Sequence, residues 1–180
     1  MIPLTPSFLI AAASSFVGFG EVGGDNRGQV VEVFLREVNQ LPGQPWCAAF
    51  VHHVGYWSHY DFIARMSSWP LPPTASCQKL ADFANPLNIV MKDPYPGDVF
   101  LKFSKTFDRF VHTGIVIGIN AKHPIDKDDW LVSCTTIEGN TNNDGSSNGY
   151  ATLQRTRVLN TFAGDRFIRW SDLRQNAKAA

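Results

Sequence analysis

The hydrophobic period of this chain changes at "PYPGD", residues 94–98. Before that point apolar residues recur three and four positions apart, the spacing of a helix face. Beyond it they alternate in short β-branched runs, the spacing of a strand. In the first half, Thr5 as cap and Pro6 at the first helical position predict a helix over 7–19. Val30, Val31, Phe34 and Val38 share a helical stripe after the turn "VGGDNRGQ", where Asp25 and Asn26 stand as caps. A third helix starts at Cys47 and runs through Phe50, Val51, Val54 and Trp57, and a short one covers about 76–83. In the second half, strands are predicted at 98–103, 112–120, 130–139, 151–159 and 165–170. "NTNNDGSSNG" at 140–149 forms a polar hairpin loop. Helices followed by strands predict an α+β fold, with N-terminal helices packed on a mostly antiparallel sheet of about five to six strands.

Composition narrows the function classes. At 180 residues the chain fits a single domain, with its core over about 17–170. Sixteen basic and sixteen acidic residues cancel, which removes the electrostatic case for nucleic acid or an anionic membrane. No Lys or Arg precedes Arg27, so the N-terminus lacks the basic start of a signal peptide. Its apolar run is short and broken by Ser14 and Ser15, so membrane insertion is not expected. The chain is expected to be made in the cytoplasm and delivered elsewhere by another route. Three cysteines, Cys47, Cys77 and Cys134, leave at least one free thiol on any pairing, and no CxxC occurs.

The segment "LPGQPWCAAF" places Cys47 at a helix start. A thiol of pKa roughly 8.5 becomes a nucleophile when a helix N-terminus or an imidazolium lowers that value. Backbone amides there are also free to hold an oxyanion. Of five histidines, His52 and His53 stand more than a turn along the same helix, His59 at its end and His123 in a polar loop. His112 opens the apolar strand "HTGIVIG", where it can face a helix end. If strands 112–118 and 131–138 pair antiparallel, Glu138 comes level with His112 and can orient its ring. The bland reading stands beside this one. A lone cysteine on a helix is more often a small buried apolar residue, and a histidine at a strand start is usually structural. No His/Cys spacing fits zinc, and "GDNRG" and "NTNNDG" carry too few carboxylates for calcium.

"NRGQVVEVFL", "PGQPWCAAFV", "PYPGDVFLKF", "HTGIVIG" and "IEGNT", in this order, resemble CHAP domains, the cysteine- and histidine-dependent amidohydrolase/peptidases of the NlpC-type papain-like group. The resemblance covers about 17–140. It implies a papain-like fold, Cys47 as nucleophile, His112 as general base, Glu138 as the orienting group and Asn140 as a further polar site residue. The acidic calcium loop of some phage members is absent from this sequence, so no metal is carried over, and no cofactor is expected. The substrate class it implies is peptidoglycan, cut at N-acetylmuramoyl–L-alanine bonds or within the stem or cross-bridge peptides. Phage lysin and secreted antibacterial effector both fit such a chain. Either acts in the periplasm or wall after holin-type or secretion-system delivery, and an effector implies a cognate inhibitor protein. Two other classes remain open: a non-catalytic wall-binding module of the same fold, and a cysteine amidase on another amide such as glutathionylspermidine. The chain departs from the family in the insert-like "NAKHPIDKDDW" between His112 and Glu138. Trp46 and Trp69 are candidates to line a substrate groove, with core packing the competing role expected of at least one of them, Cys77 and Cys134 are expected to be structural, and Arg27 is expected to anchor its turn.

Overall fold

The computed structural model describes residues 5–143 and 149–173. The helices are α1 (Pro6–Ser14), α2 (Gln29–Glu37), α3 (Cys47–Ser58) and α4 (Cys77–Ala84). Between α3 and α4 lies a small hairpin, β1 (Tyr60–Asp61) with β2 (Met66–Ser67). Then come β3 (Val90–Met91), β4 (Val99–Ser104), β5 (Arg109–Pro124), β6 (Trp130–Thr141), β7 (Ala151–Asn160) and β8 (Arg166–Ile168). These six form one sheet in the order β3-β8-β4-β5-β6-β7, antiparallel at every junction. The chain is α+β, as the change of hydrophobic period predicts. The hairpin loop expected at 140–149 falls partly outside the described residues.

Several local expectations shift. Neither Asp25 nor Asn26 caps α2; Gly28 stands at its N-cap, with a φ of 115° that suits glycine. The core begins before residue 17, since Leu9 and Ala13 of α1 are fully buried. The insert-like segment is mostly strand: His123 pairs with Leu131 and Pro124 with Trp130, so β5 and β6 form a long ribbon. Its side chains past Asn120 are largely exposed on both faces, so no apolar alternation marks them in the sequence. The ladder alone continues there, with irregularities between Val116 and Gly118 and between Ile119 and Ala121 absorbing the twist.

Two apolar clusters explain how the sheet positions a site. Val99, Leu101, Ile115, Ile137 and Ile168 face the helices and join Leu9, Phe34, Trp46, Phe50 and Leu80 in the main core. Alternate residues Phe100, Val116, Val132, Cys134, Leu159 and Phe167 form a second cluster drawn from five strands of the same sheet, which therefore curls around it. Gly139 is where α3 seats against this sheet. A Cβ there would lie 2.6 Å from the Trp46 ring and 2.7 Å from Phe50 Cβ. Only glycine lets the start of α3 approach β6 so closely.

Candidate active site

Cys47 is the first residue of α3, and no side chain caps that helix. The amides of the first turn are left for another partner, and the Ala48 amide meets the Cys47 sulfur. The thiol is 4% exposed. Its sulfur lies 3.6 Å from that of Cys77.

His112 sits on β5 and is nearly buried. Its Nε2 lies 2.9 Å from Glu138 Oε2. Its Nδ1 is buried and makes no hydrogen bond, yet the ring interacts electrostatically with the Cys47 thiol. The free nitrogen is thus the one available to the sulfur. Glu138 is fully buried on β6. Thr136 Oγ1 donates to its Oε1 at 2.6 Å, and Arg157 donates through Nε at 2.7 Å and through Nη2 to Oε2 at 2.5 Å. This carboxylate has donors on both oxygens, as a buried charge requires.

The register differs from the expected one. Ile115 pairs with Ile137, which sets Glu138 beside Gly114 and two positions off His112. Glu138 reaches His112 diagonally along a shared face. Gly114 makes this possible, because a Cβ there would lie 2.8 Å from Glu138 Cγ and 2.8 Å from the Phe100 ring.

Charge is concentrated accordingly. For Cys47 the Cys77 thiol is the foremost influence lowering the pKa; burial opposes it, and His112 and the Ala48 amide add to the lowering. Cys77 is pushed the opposite way by the same contact. Of the two sulfurs, Cys47 carries the charge, because His112 favours it there. Burial alone would lower the His112 value, but its interactions with Cys47 and Glu138 outweigh that and raise it to about 9. Burial would raise Glu138, but Arg157 and His112 hold it at about 2. Near neutral pH the site is a thiolate, an imidazolium, a carboxylate and a guanidinium in sequence.

The other sequence candidates lie differently. Asn140 is buried beside the irregularity between Glu138 and Thr141, with a φ of 53°, and its Oδ1 has no hydrogen-bond partner. The hydrogen bonds that hold Glu138 and His112 do not include it. Trp46 cannot line a groove: it is fully buried, its Nε1 donating to Glu21 at 2.9 Å. Trp69 is almost as buried, laid over Gly55 and packed between His59 and Trp170. Only its edge contributes to a groove of about 520 Å³ with Glu37, His52, Tyr56, Trp57 and Tyr60. That groove belongs to the far end of α3, on the order of 14 Å along the helix from Cys47. A smaller hollow of about 200 Å³ is lined by Gln44, Pro45, Thr74, Ser76 and Lys79 among others, from the segments that lead into α3 and α4. His53 pairs with Glu37, His59 is stacked in the core and His123 stands on the exposed ribbon. Arg27 is exposed near Glu32. Among the described residues no cluster of three His, Cys, Asp or Glu side chains could hold a metal, and no helix is long and apolar enough to cross a membrane.

Two site residues escape the sequence reading. Arg157 shares the strand phase of Leu153, Arg155 and Leu159, and an arginine on a buried phase calls for a carboxylate. Cys77 does not stand apart as a purely structural thiol. Like Cys47 it is the first residue of a helix, and that shared position is its signal. Compared with protein-family models, curated proteins and solved structures, the chain finds no match.

Proposed function

We propose that the protein is a cysteine hydrolase that cuts amide bonds of peptidoglycan. The observation that carries this reading is the His112 Nε2–Glu138 Oε2 bond of 2.9 Å behind a thiol at the uncapped start of α3. The resemblance of the surrounding motifs to CHAP domains supplies the substrate class and the papain-like reading of the fold. Cys47 attacks the amide carbonyl carbon, and the Cys47 and Ala48 amides receive the oxyanion. His112 gives its proton to the departing amine, leaving a thioester on Cys47. The neutral ring then takes a proton from water, which attacks the thioester carbon and releases the thiolate. Glu138, fixed by Arg157 and Thr136, keeps the ring in one orientation throughout. No step uses a cofactor or metal. The reading covers either a phage lysin or an antibacterial effector reaching the wall by assisted delivery, the latter with an inhibitor protein as partner.

Digestion of purified sacculi from a Gram-negative wall tests it, with fragments measured by mass and Cys47→Ala beside the unaltered protein. New fragments are expected from the unaltered protein alone, and their masses name the bond. Undigested sacculi in both arms would sink the reading for this wall.

A further inference from the structure

The site contains one thiol more than hydrolysis needs. Cys77 Sγ lies 3.6 Å from Cys47 Sγ, while a disulfide needs about 2.05 Å, so an approach of roughly 1.5 Å joins them. Both sulfurs stand at the first position of a helix, α3 for one and α4 for the other. The start of α4 is held against β5 by the Phe110 amide, which donates to Gln78 Oε1 at 3.1 Å. Small adjustments at two helix ends therefore suffice, with no rearrangement of the sheet. A hollow lined by Pro45 and Ser76 opens at the segments that lead into the two helix starts. The ionisable groups acting on the pair are His112 and Arg109, both from β5.

We propose that Cys47 and Cys77 form an oxidative modification site, in which hydrogen peroxide oxidises Cys47 and Cys77 resolves it to a disulfide. The Cys47 thiolate attacks one peroxide oxygen; an S–O bond forms, the O–O bond breaks, and the departing hydroxide takes the His112 proton as water. Cys77 then attacks the sulfenic sulfur. The S–S bond forms, the S–O bond breaks, and the second hydroxide leaves with the Cys77 proton as water. Two thiols are oxidised by one peroxide, which is reduced to two waters. The disulfide occupies the sulfur that attacks the substrate, so hydrolysis stops until a dithiol reopens it. Cys134 takes no part. It is fully buried in the second cluster, and burial pushes its pKa up to about 12. The loss of activity rests on the hydrolase reading; the cross-link itself does not.

The full-length protein is treated with hydrogen peroxide at about one equivalent, then analysed by intact mass, thiol titration in denaturant and non-reducing peptide mapping. The expected result is a loss of two hydrogen atoms, a fall from three titratable thiols to one, and a peptide joining Cys47 to Cys77. Sacculus digestion should stop and return with dithiothreitol. In Cys77→Ser, and in Cys77→Ala should the serine variant misfold, two or more equivalents of peroxide should instead carry Cys47 to sulfinic acid that dithiothreitol does not reverse. If Cys47 in the unaltered protein remains a thiol or reaches sulfinic acid while Cys77 stays reduced, the proposal is overturned. Recovery of the Cys77 variants equal to that of the unaltered protein overturns it as well. A cross-link in a protein that leaves sacculi intact would sink the hydrolase reading and keep the modification site. Cys47-dependent digestion without a cross-link would do the reverse.

Discussion

The two ends of α3 are built from different chemistry. At its start, Cys47 is buried among groups that titrate: Cys77, His112 and, behind them, Glu138 and Arg157. At its end, the Tyr56, Trp57 and Tyr60 rings meet edge-on or tilted, with centroids 5.0 to 5.6 Å apart, around an open groove. The aromatic end has the larger hollow, and its carboxylate, Glu37, is already engaged by His53 and Trp57. The thiol end has little open space but an unspent nitrogen and a thiol driven toward its charged form. Pocket size and reactivity therefore point to opposite ends of one helix. A nucleophile is made by converging charges in a dry setting, and space alone does not make one.

Removing the imidazolium breaks this contrast most sharply. In His112→Ala the Cys47 thiol loses its charged partner and keeps Cys77 and the Ala48 amide, so its pKa rises. Its alkylation by iodoacetamide at pH 6 should slow by about tenfold or more, because less thiolate remains. In the unaltered protein alkylation should persist well below pH 8, while sacculus digestion should fall as pH rises through about 9, where His112 gives up the proton its leaving group needs. Stopped alkylation time courses across pH check both limbs. An unchanged rate in His112→Ala would mean that the helix start and Cys77 alone set the thiol.

Arg157 tests whether the carboxylate behind the ring depends on its own partner. Arg157→Ala strands a fully buried carboxylate with His112 and Thr136, at a cost on the order of 3 kcal/mol in urea unfolding. The sign with pH follows from Glu138. Its folded value of about 2 lies below the ordinary carboxylate range, so its ionised form stabilises the fold above roughly pH 4.5. That contribution should be lost as pH falls from there through about 2. Glu138→Gln should flatten this part of the stability–pH curve, and a curve of unchanged slope would place the acid sensitivity elsewhere.

How much of this was legible in the sequence depends on what each feature leaves in one dimension. The α+β order was legible, because helix and strand faces each bury an apolar stripe. Cys47 at a helix start was legible, because Pro45 and the apolar run mark the boundary. The pairing of His112 with Glu138 was legible only to within two residues. Register depends on Gly114, whose missing side chain admits Glu138 diagonally, and strand lengths do not reveal that. The ribbon beyond Asn120 was missed because exposed strands need no apolar period. Which tryptophan packs in the core is not legible, because a tryptophan before a cysteine looks the same whether it faces solvent or, as Trp46 does, Gly139. Arg157 and Cys77 are far from the motifs in sequence, and only the curl of the sheet and the docking of α4 bring them in.

The smallest expected effect comes from the aromatic end and sharpens the comparison by its smallness. Trp57 is 44% exposed and donates to Glu37 Oε1 at 2.8 Å. Trp57→Ala removes a partly solvated hydrogen bond and the ring contacts with Tyr56 and Tyr60, so urea unfolding should change by about 1 to 2 kcal/mol. Iodoacetamide should alkylate Cys47 at the unaltered rate at every pH, since nearly three helical turns separate the residues. A slowed alkylation would mean that Glu37, released from Trp57 and still bonded to His53, transmits a shift of α3 to its start. The two ends would then act as one unit, and the groove would belong to the chemistry at Cys47.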